Sequence, residues 1–239
     1  MKQPSEFTSA PRHADMMIKI CGMQNPDNIS RVSCLTPMLM GFIFYKLSPR
    51  NAIGLAPEAI RSLPPYVRPV GVFVNVAISE ITETTSQYGI RVVQLHGEET
   101  PQFCRELRDR GYAVIKAIKV PAAADRSFFS LLAPYRGCVD MLLFDTSGDA
   151  PGGNGRKFDW SVLDGYTLGI PYMLSGGIGP DDIEAVKQAM RPGLAGIDLN
   201  SRFETSPGHK DVAKLSNFIL QLRKLNENEP IDRPFWEKA

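Results

Sequence analysis

The chain is short of the features that set whole classes of protein apart. Its longest apolar stretches, such as Met38 to Tyr45, fall far below the ~18 residues of a bilayer span, and Met1-Lys2-Gln3-Pro4-Ser5 lacks the apolar core of a secretion signal. A soluble cytoplasmic protein with no membrane partner is expected. Charge of one sign is missing too: 27 Lys and Arg against 26 Asp and Glu leave +1, with a pI near 7.7, so nothing advertises a nucleic-acid partner. A local anion site remains allowed. Cysteines are few, at 21, 34, 104 and 138, and their gaps of 13, 70 and 34 fit neither a CxxC motif nor a dense disulfide framework. Free thiols are expected, with Cys34, Cys104 and Cys138 acting as small buried hydrophobes. Only three histidines occur, His13, His96 and His209, too few at strand ends for a His-based metal site. What is present is ordinary: 239 residues, 43% hydrophobic and 22% charged, which is the usage of a chain that folds around a core.

Short apolar, β-branched-rich runs begin near Met17, Met40, Val70, Val92, Val114, Met141, Tyr172 and Gly196, at intervals of 23, 30, 22, 22, 27, 31 and 24. Helix signals stand between them. Asn25-Pro26-Asp27, Thr100-Pro101 and Gly179-Pro180-Asp181 read as starts, Gly89 and Gly111 as stops. Helical spacing recurs in Phe103 with Leu107, in Ile183 with Val186 and Met190, and in Val212 with Leu215, Phe218, Ile219 and Leu222. Strands alternating with helices imply right-handed crossovers and a parallel sheet, and eight such units in this length suit a closed (β/α)8 TIM barrel. No linker divides the pattern. The expected organisation is an N-terminal arm over 1–15, one barrel over 16–225, and a C-terminal extension over 226–239.

Such barrels carry their chemistry at the carboxyl ends of the strands, so polar residues placed there are the informative ones. They are Lys19 and Cys21 on the first strand, Arg50 after the second, Asn75 after the third, and Gln94 and His96 on the fourth. Lys116, Asp145, Ser175 and Asp198 follow on the later strands. Lys19 and Cys21, two apart, share a face. If Ile18 and Ile20 face the helices, Cys21 opens into the barrel mouth, either as a nucleophile or base or as a small buried thiol. Asp145 closes the apolar run Met141-Leu142-Leu143-Phe144, where a carboxylate is either a general acid with a raised pKa or a cap or ion-pair partner. Pro151-Gly152-Gly153-Asn154-Gly155 and Ser175-Gly176-Gly177-Ile178-Gly179, with Asn200 and Ser201 after the eighth strand, expose backbone N–H groups of the kind that bind phosphate.

Taken in order, these residues resemble the phosphoribosylanthranilate isomerase family. The likeness runs from about 17 to 222. It is carried by Lys19-Ile20-Cys21-Gly22 with Asn25-Pro26, Gly41 to Phe44 leading to Ser48-Pro49-Arg50, and Val70 to Asn75. Val93-Gln94-Leu95-His96-Gly97-Glu98-Glu99, Leu143-Phe144-Asp145-Thr146, Gly153 to Gly155 leading to Phe158-Asp159-Trp160, and Leu174 to Ile178 complete it. The resemblance implies an Amadori rearrangement in tryptophan biosynthesis, with neither cofactor nor metal. N-(5-phosphoribosyl)anthranilate would become 1-(2-carboxyphenylamino)-1-deoxyribulose 5-phosphate. Asp145 is then the general acid that opens the ring and Cys21 the base that removes the C2 proton. Arg50, His96 and Asp198 would bind substrate, with Arg50 on the anthranilate moiety; Gly155, Gly176, Gly177, Asn200 and Ser201 would bind phosphate. Matched to their task, Asp145 should be raised and Cys21 lowered toward neutrality, with Lys19 the source of the field on the thiol.

One departure stands out. The family usually reads Ser-Ser-Gly after the eighth strand, where this chain has Asn200-Ser201-Arg202. Either Arg202 supplies charge in place of bare backbone, or it points outward while the neighbouring N–H groups bind. Rival readings are another phosphosugar barrel, such as a ribulose-phosphate epimerase or indole-glycerol-phosphate synthase, and a catalytically silent barrel that binds a phosphorylated ligand. The first lacks its His/Asp metal set and the second does not match at Cys21, while Cys21 and Asp145 together argue against a silent barrel. The partner is a small phosphorylated molecule, and apolar helix faces suit a monomer or a homodimer equally.

Overall fold

The computed structural model describes residues 16–146 and 158–226. Eight parallel strands close on themselves: β1 Met17–Cys21, β2 Leu39–Ile43, β3 Arg68–Phe73, β4 Val92–Leu95, β5 Ala113–Val120, β6 Met141–Thr146, β7 Tyr172–Leu174 and β8 Leu194–Leu199. The barrel expected from the sequence is present. Around it stand α1 Pro26–Ser33, α2 Pro57–Arg61, α3 Ile78–Tyr88, α4 Pro101–Asp109, α5 Arg126–Ser130, α6 Ile183–Gln188 and α7 Val212–Asn226.

The helix ends follow their local chemistry. Asn25 caps α1 by accepting from Asn28 N, Thr100 caps α4 by accepting from Phe103 N, and a proline fills the next position in each. Gly89 stops α3 in the left-handed conformation at φ +70°. By contrast, the start read at Gly179-Pro180-Asp181 comes late. Asp182 accepts from Gly179 N at 2.6 Å, so these residues form a turn, and α6 begins at Ile183. Between β6 and β7 the described cover is a short 3₁₀ turn, Trp160–Gly165, and aromatic rings complete it. Phe129, Phe144, Tyr166 and Tyr172 pack edge-on or tilted at 5.0–5.6 Å.

Strand parity separates two cores. Met17, Leu39, Val70, Val92, Ile115, Met141 and Met173 fill the barrel interior, while Ile18, Ile20, Met40, Phe42, Val93, Leu142 and Phe144 pack under the helices. The register sets Lys19 beside Asp198 on β8 and Cys21 beside Gly41 on β2. Beyond β8 a small antiparallel ribbon, β9 Glu204–Ser206 and β10 His209–Lys210, turns through Pro207-Gly208 and places Lys210 opposite Glu204.

Candidate active site

With Ile18 and Ile20 turned outward, Lys19 and Cys21 point inward over Gly41. Where a Cβ on Gly41 would stand, the Cys21 Sγ is 2.7 Å away and the Lys19 Nζ 3.1 Å away, so the missing side chain is what makes room for both. Lys19 Nζ donates to Asp198 Oδ2 at 2.9 Å. All three residues are buried. Burial works against the Lys19 ammonium, yet Asp198 and Cys21 hold its pKa above the ordinary value. Burial pushes the Asp198 carboxyl up against the pull of Lys19. The Cys21 thiol is also pushed up, first by burial and then by Asp198, and Lys19 and Lys210 offset only part of this. That corrects the expected lowering: Lys19 does favour the thiolate, but desolvation outweighs it.

Across the barrel, Asp145 is fixed through both oxygens. Its Oδ1 accepts from Thr146 N at 2.9 Å and its Oδ2 meets His96 Nε2 at 3.2 Å; His96 Nδ1 in turn meets Gln94 Nε2 at 2.9 Å. The loop that carries His96 is held from outside. Glu99 accepts from Asn75 N at 2.9 Å and from Gly97 N at 3.0 Å, and pairs with Lys116 Nζ at 3.2 Å; Lys116 also donates to Gly97 O at 2.7 Å. Lys116 therefore points into the helix layer and not into the mouth. Asn75, with φ +51°, accepts from Glu98 N and serves the same turn.

One cleft is lined by Cys21, Gln94, His96, Asp145, Ser175, Gly177, Ile178, Asp198, Asn200 and Ser201, with Ile43, Tyr45, Ser48, Val72 and Val74 as further wall. Most of the residues singled out in the sequence thus meet in one place. Gly176, at φ +85°, stands behind the wall, where a Cβ would come 2.7 Å from Thr146 N and 2.8 Å from Asp145 Oδ1; its bareness lets β7 turn close past the carboxylate. Arg50 is not among the lining residues; its side chain packs against Gly22, two residues on from Ser48 of the wall. Gly155 falls outside the described residues. Arg202 is exposed, and its side chain runs alongside Gly179, the last residue of the glycine-rich stretch after β7. Cys34 departs from expectation: it is exposed at the end of α1, whereas Cys104 and Cys138 are buried, and all four thiols are free.

Sequence reasoning missed Glu204 and Lys210. Glu204 accepts from Arg50 through Nε at 3.0 and 2.9 Å and Nη2 at 2.8 Å, and from Lys210 Nζ at 2.5 Å; Lys210 donates as well to Asn200 Oδ1 at 2.7 Å. Their signal was the Pro207-Gly208 turn flanked by opposite charges. Among the described residues no group of three or more His, Cys, Asp or Glu is placed to hold a metal ion, and no helix is long and apolar enough to cross a membrane.

Known proteins show the same arrangement of sequence and fold. The profile of the N-(5'-phosphoribosyl)anthranilate (PRA) isomerase family matches residues 18–221. The chain belongs to this family. It is accordingly an isomerase of tryptophan biosynthesis built on a TIM barrel. The N-(5'-phosphoribosyl)anthranilate isomerase of Parabacteroides distasonis is 44% identical over 87% of this chain and 93% of its own length. Among solved structures, the enzyme from Thermus thermophilus superimposes with a TM-score of 0.74 at 31% identity, covering 88% of this chain and 100% of that one. Another family structure, holding reduced 1-(o-carboxyphenylamino)-1-deoxyribulose 5-phosphate, gives 0.71 at 31% identity over 87% and 99%. A structure of monomers generated from the dimeric enzyme of Thermotoga maritima gives 0.70 at 30% over the same shares.

Proposed function

We propose that Asp145 and Cys21 perform the two proton transfers by which this chain converts N-(5-phosphoribosyl)anthranilate to 1-(2-carboxyphenylamino)-1-deoxyribulose 5-phosphate. The observation that carries this is their meeting in one cleft from β1 and β6, on opposite sides of the barrel mouth. Asp145 gives a proton to the furanose ring oxygen. The C1–O bond then breaks and the nitrogen lone pair forms a C1=N bond. The Cys21 thiolate removes the C2 proton, the C–H electrons form C1=C2, and the C=N pair returns to nitrogen. The resulting enolamine loses its O–H proton and gains one at C1, giving the ketone. Protons taken by Cys21 and given by Asp145 are exchanged back through water, so the substrate's composition is unchanged.

Supporting groups fall into place around these two. His96 orients Asp145 and is itself oriented by Gln94. Buried Asp198 Oδ1 has no protein partner among the described residues and serves as acceptor for a sugar hydroxyl. Gly177, Asn200 and Ser201 hold the phosphate, with Gly155 and Gly176 assigned to the same end, and Arg50 takes the anthranilate carboxylate. Because burial keeps Cys21 mainly as thiol, Lys19 matters as the charge that makes the thiolate accessible at all. The substrate is a small phosphorylated molecule, met in the cytoplasm by a monomer or homodimer; the free thiols are in keeping with that setting.

The test is to generate phosphoribosylanthranilate in situ and follow anthranilate-type fluorescence with wild type, Cys21→Ser and Asp145→Asn. Activity without added metal is expected, and each substitution should lower turnover by about 10²–10⁴-fold. A silent wild type would favour a ligand-binding barrel, and full activity in either variant would reassign that residue.

A further inference from the structure

Arg50 and Lys210 share one carboxylate. Glu204, its side chain 5% exposed, binds both cations and also accepts from Gly208 N at 3.2 Å. The cluster therefore carries two positive charges against one negative, and it is bonded to Ser48 and Asn200, which line the cleft assigned to an anionic substrate. Lys210 is fully buried and spent on Glu204 and Asn200. Arg50 is 14% exposed, and with Nε and Nη2 committed to Glu204 its Nη1 has no hydrogen bond among the described residues. The loop end beneath it is stiff, since Arg50 N donates to Ser48 Oγ at 3.1 Å and Ala52 N to Ile43 O at 2.8 Å. A guanidinium held along one edge presents its other edge in a fixed direction, which a free arginine would not do.

We infer that Glu204 is a positioning residue, anchored by Lys210, that holds Arg50 in the orientation able to grip the aryl carboxylate of the substrate. This rests on the assignment of Arg50 made above. It accounts for a carboxylate standing beside a site for anions, where its own charge alone would repel them. It also separates two jobs. The charge of Arg50 attracts the substrate, and Glu204 determines where that charge is delivered.

The experiment compares two stable ligands by calorimetry: reduced 1-(o-carboxyphenylamino)-1-deoxyribulose 5-phosphate and its phenylamino counterpart, which lacks the carboxylate. Glu204→Gln should weaken the carboxylate-bearing ligand about 10–100-fold and leave the other within about twofold. Glu204→Asp, which keeps the charge but shortens the reach, should give a smaller loss confined to the same ligand, and it serves if the glutamine variant folds poorly. Equal weakening of both ligands, or of neither, overturns the positioning role. Wild-type turnover of phosphoribosylanthranilate is measured alongside; its absence would count against the isomerase assignment and not against the clamp.

Discussion

Replacing Lys19 by Met tests whether a buried ammonium governs the thiol. Because both atoms crowd the same point above Gly41, Nζ and Sγ are about 6 Å apart at most, and at an effective dielectric of roughly 20 their charges couple by about 3 kcal/mol. That is a factor of about 100 in thiolate at a given pH. Asp198 opposes Lys19 in the wild type, so the net loss depends on its charge once Lys19 is gone: about 100-fold if the carboxylate stays ionised, nearer 10-fold if it takes up a proton. Iodoacetamide labelling from pH 6 to 11 reads the thiolate, and mass spectrometry separates Cys21 from the exposed Cys34. Wild type should show a midpoint above the ordinary 9.0, since burial raises it. Lys19→Met should label about 10–100-fold more slowly at pH 8, with Lys19→Met/Asp198→Asn at the lower end of that loss. Superimposable profiles for wild type and Lys19→Met would refute the electrostatic argument.

Other consequences can be measured directly. Gly41→Ala should cost about 1–3 kcal/mol in urea unfolding, because its Cβ would stand 2.7 Å from the Cys21 sulfur. Glu99→Gln leaves Lys116 buried without its anion and should cost about 3–5 kcal/mol in guanidinium unfolding, with an unchanged midpoint counting against the ion pair. His96→Asn, judged by steady-state kinetics, should lower kcat about 10–100-fold and KM far less, as it removes a hydrogen bond to the acid. Glu204 sits below its ordinary 4.5: burial opposes its charge, but Arg50 and Lys210 outweigh that. Its contribution is therefore complete above pH 4.5 and fades as pH falls through the lower folded value. The stability gap between wild type and Glu204→Gln should shrink on acidification in the same way.

The strands were legible because each is an apolar run with a turn signal on either side, and expected starts fall within two residues of those seen. Cys21, His96, Asp145 and Asp198 were legible because a polar group closing an apolar strand is conspicuous. Lys116 was misread for the opposite reason. Strand β5 is apolar on both faces, so nothing in Ala113–Val120 tells inward from outward, and parity had to come from the register. The Cys21 thiol was misjudged because spacing reveals Lys19 beside it but not how completely both are buried. Glu204 and Lys210 stayed hidden because strands of three and two residues leave no periodicity to read.

The Glu99–Lys116 pair has a kinetic bearing. By tying the turns after β3 and β4 to β5 beneath the helices, it fixes the acid's side of the mouth before any ligand arrives. Ordering those turns then draws nothing from the binding energy of the substrate, which remains available for opening the ring. Mutational sensitivity of the catalyst should accordingly extend well outside the chamber in which the sugar reacts.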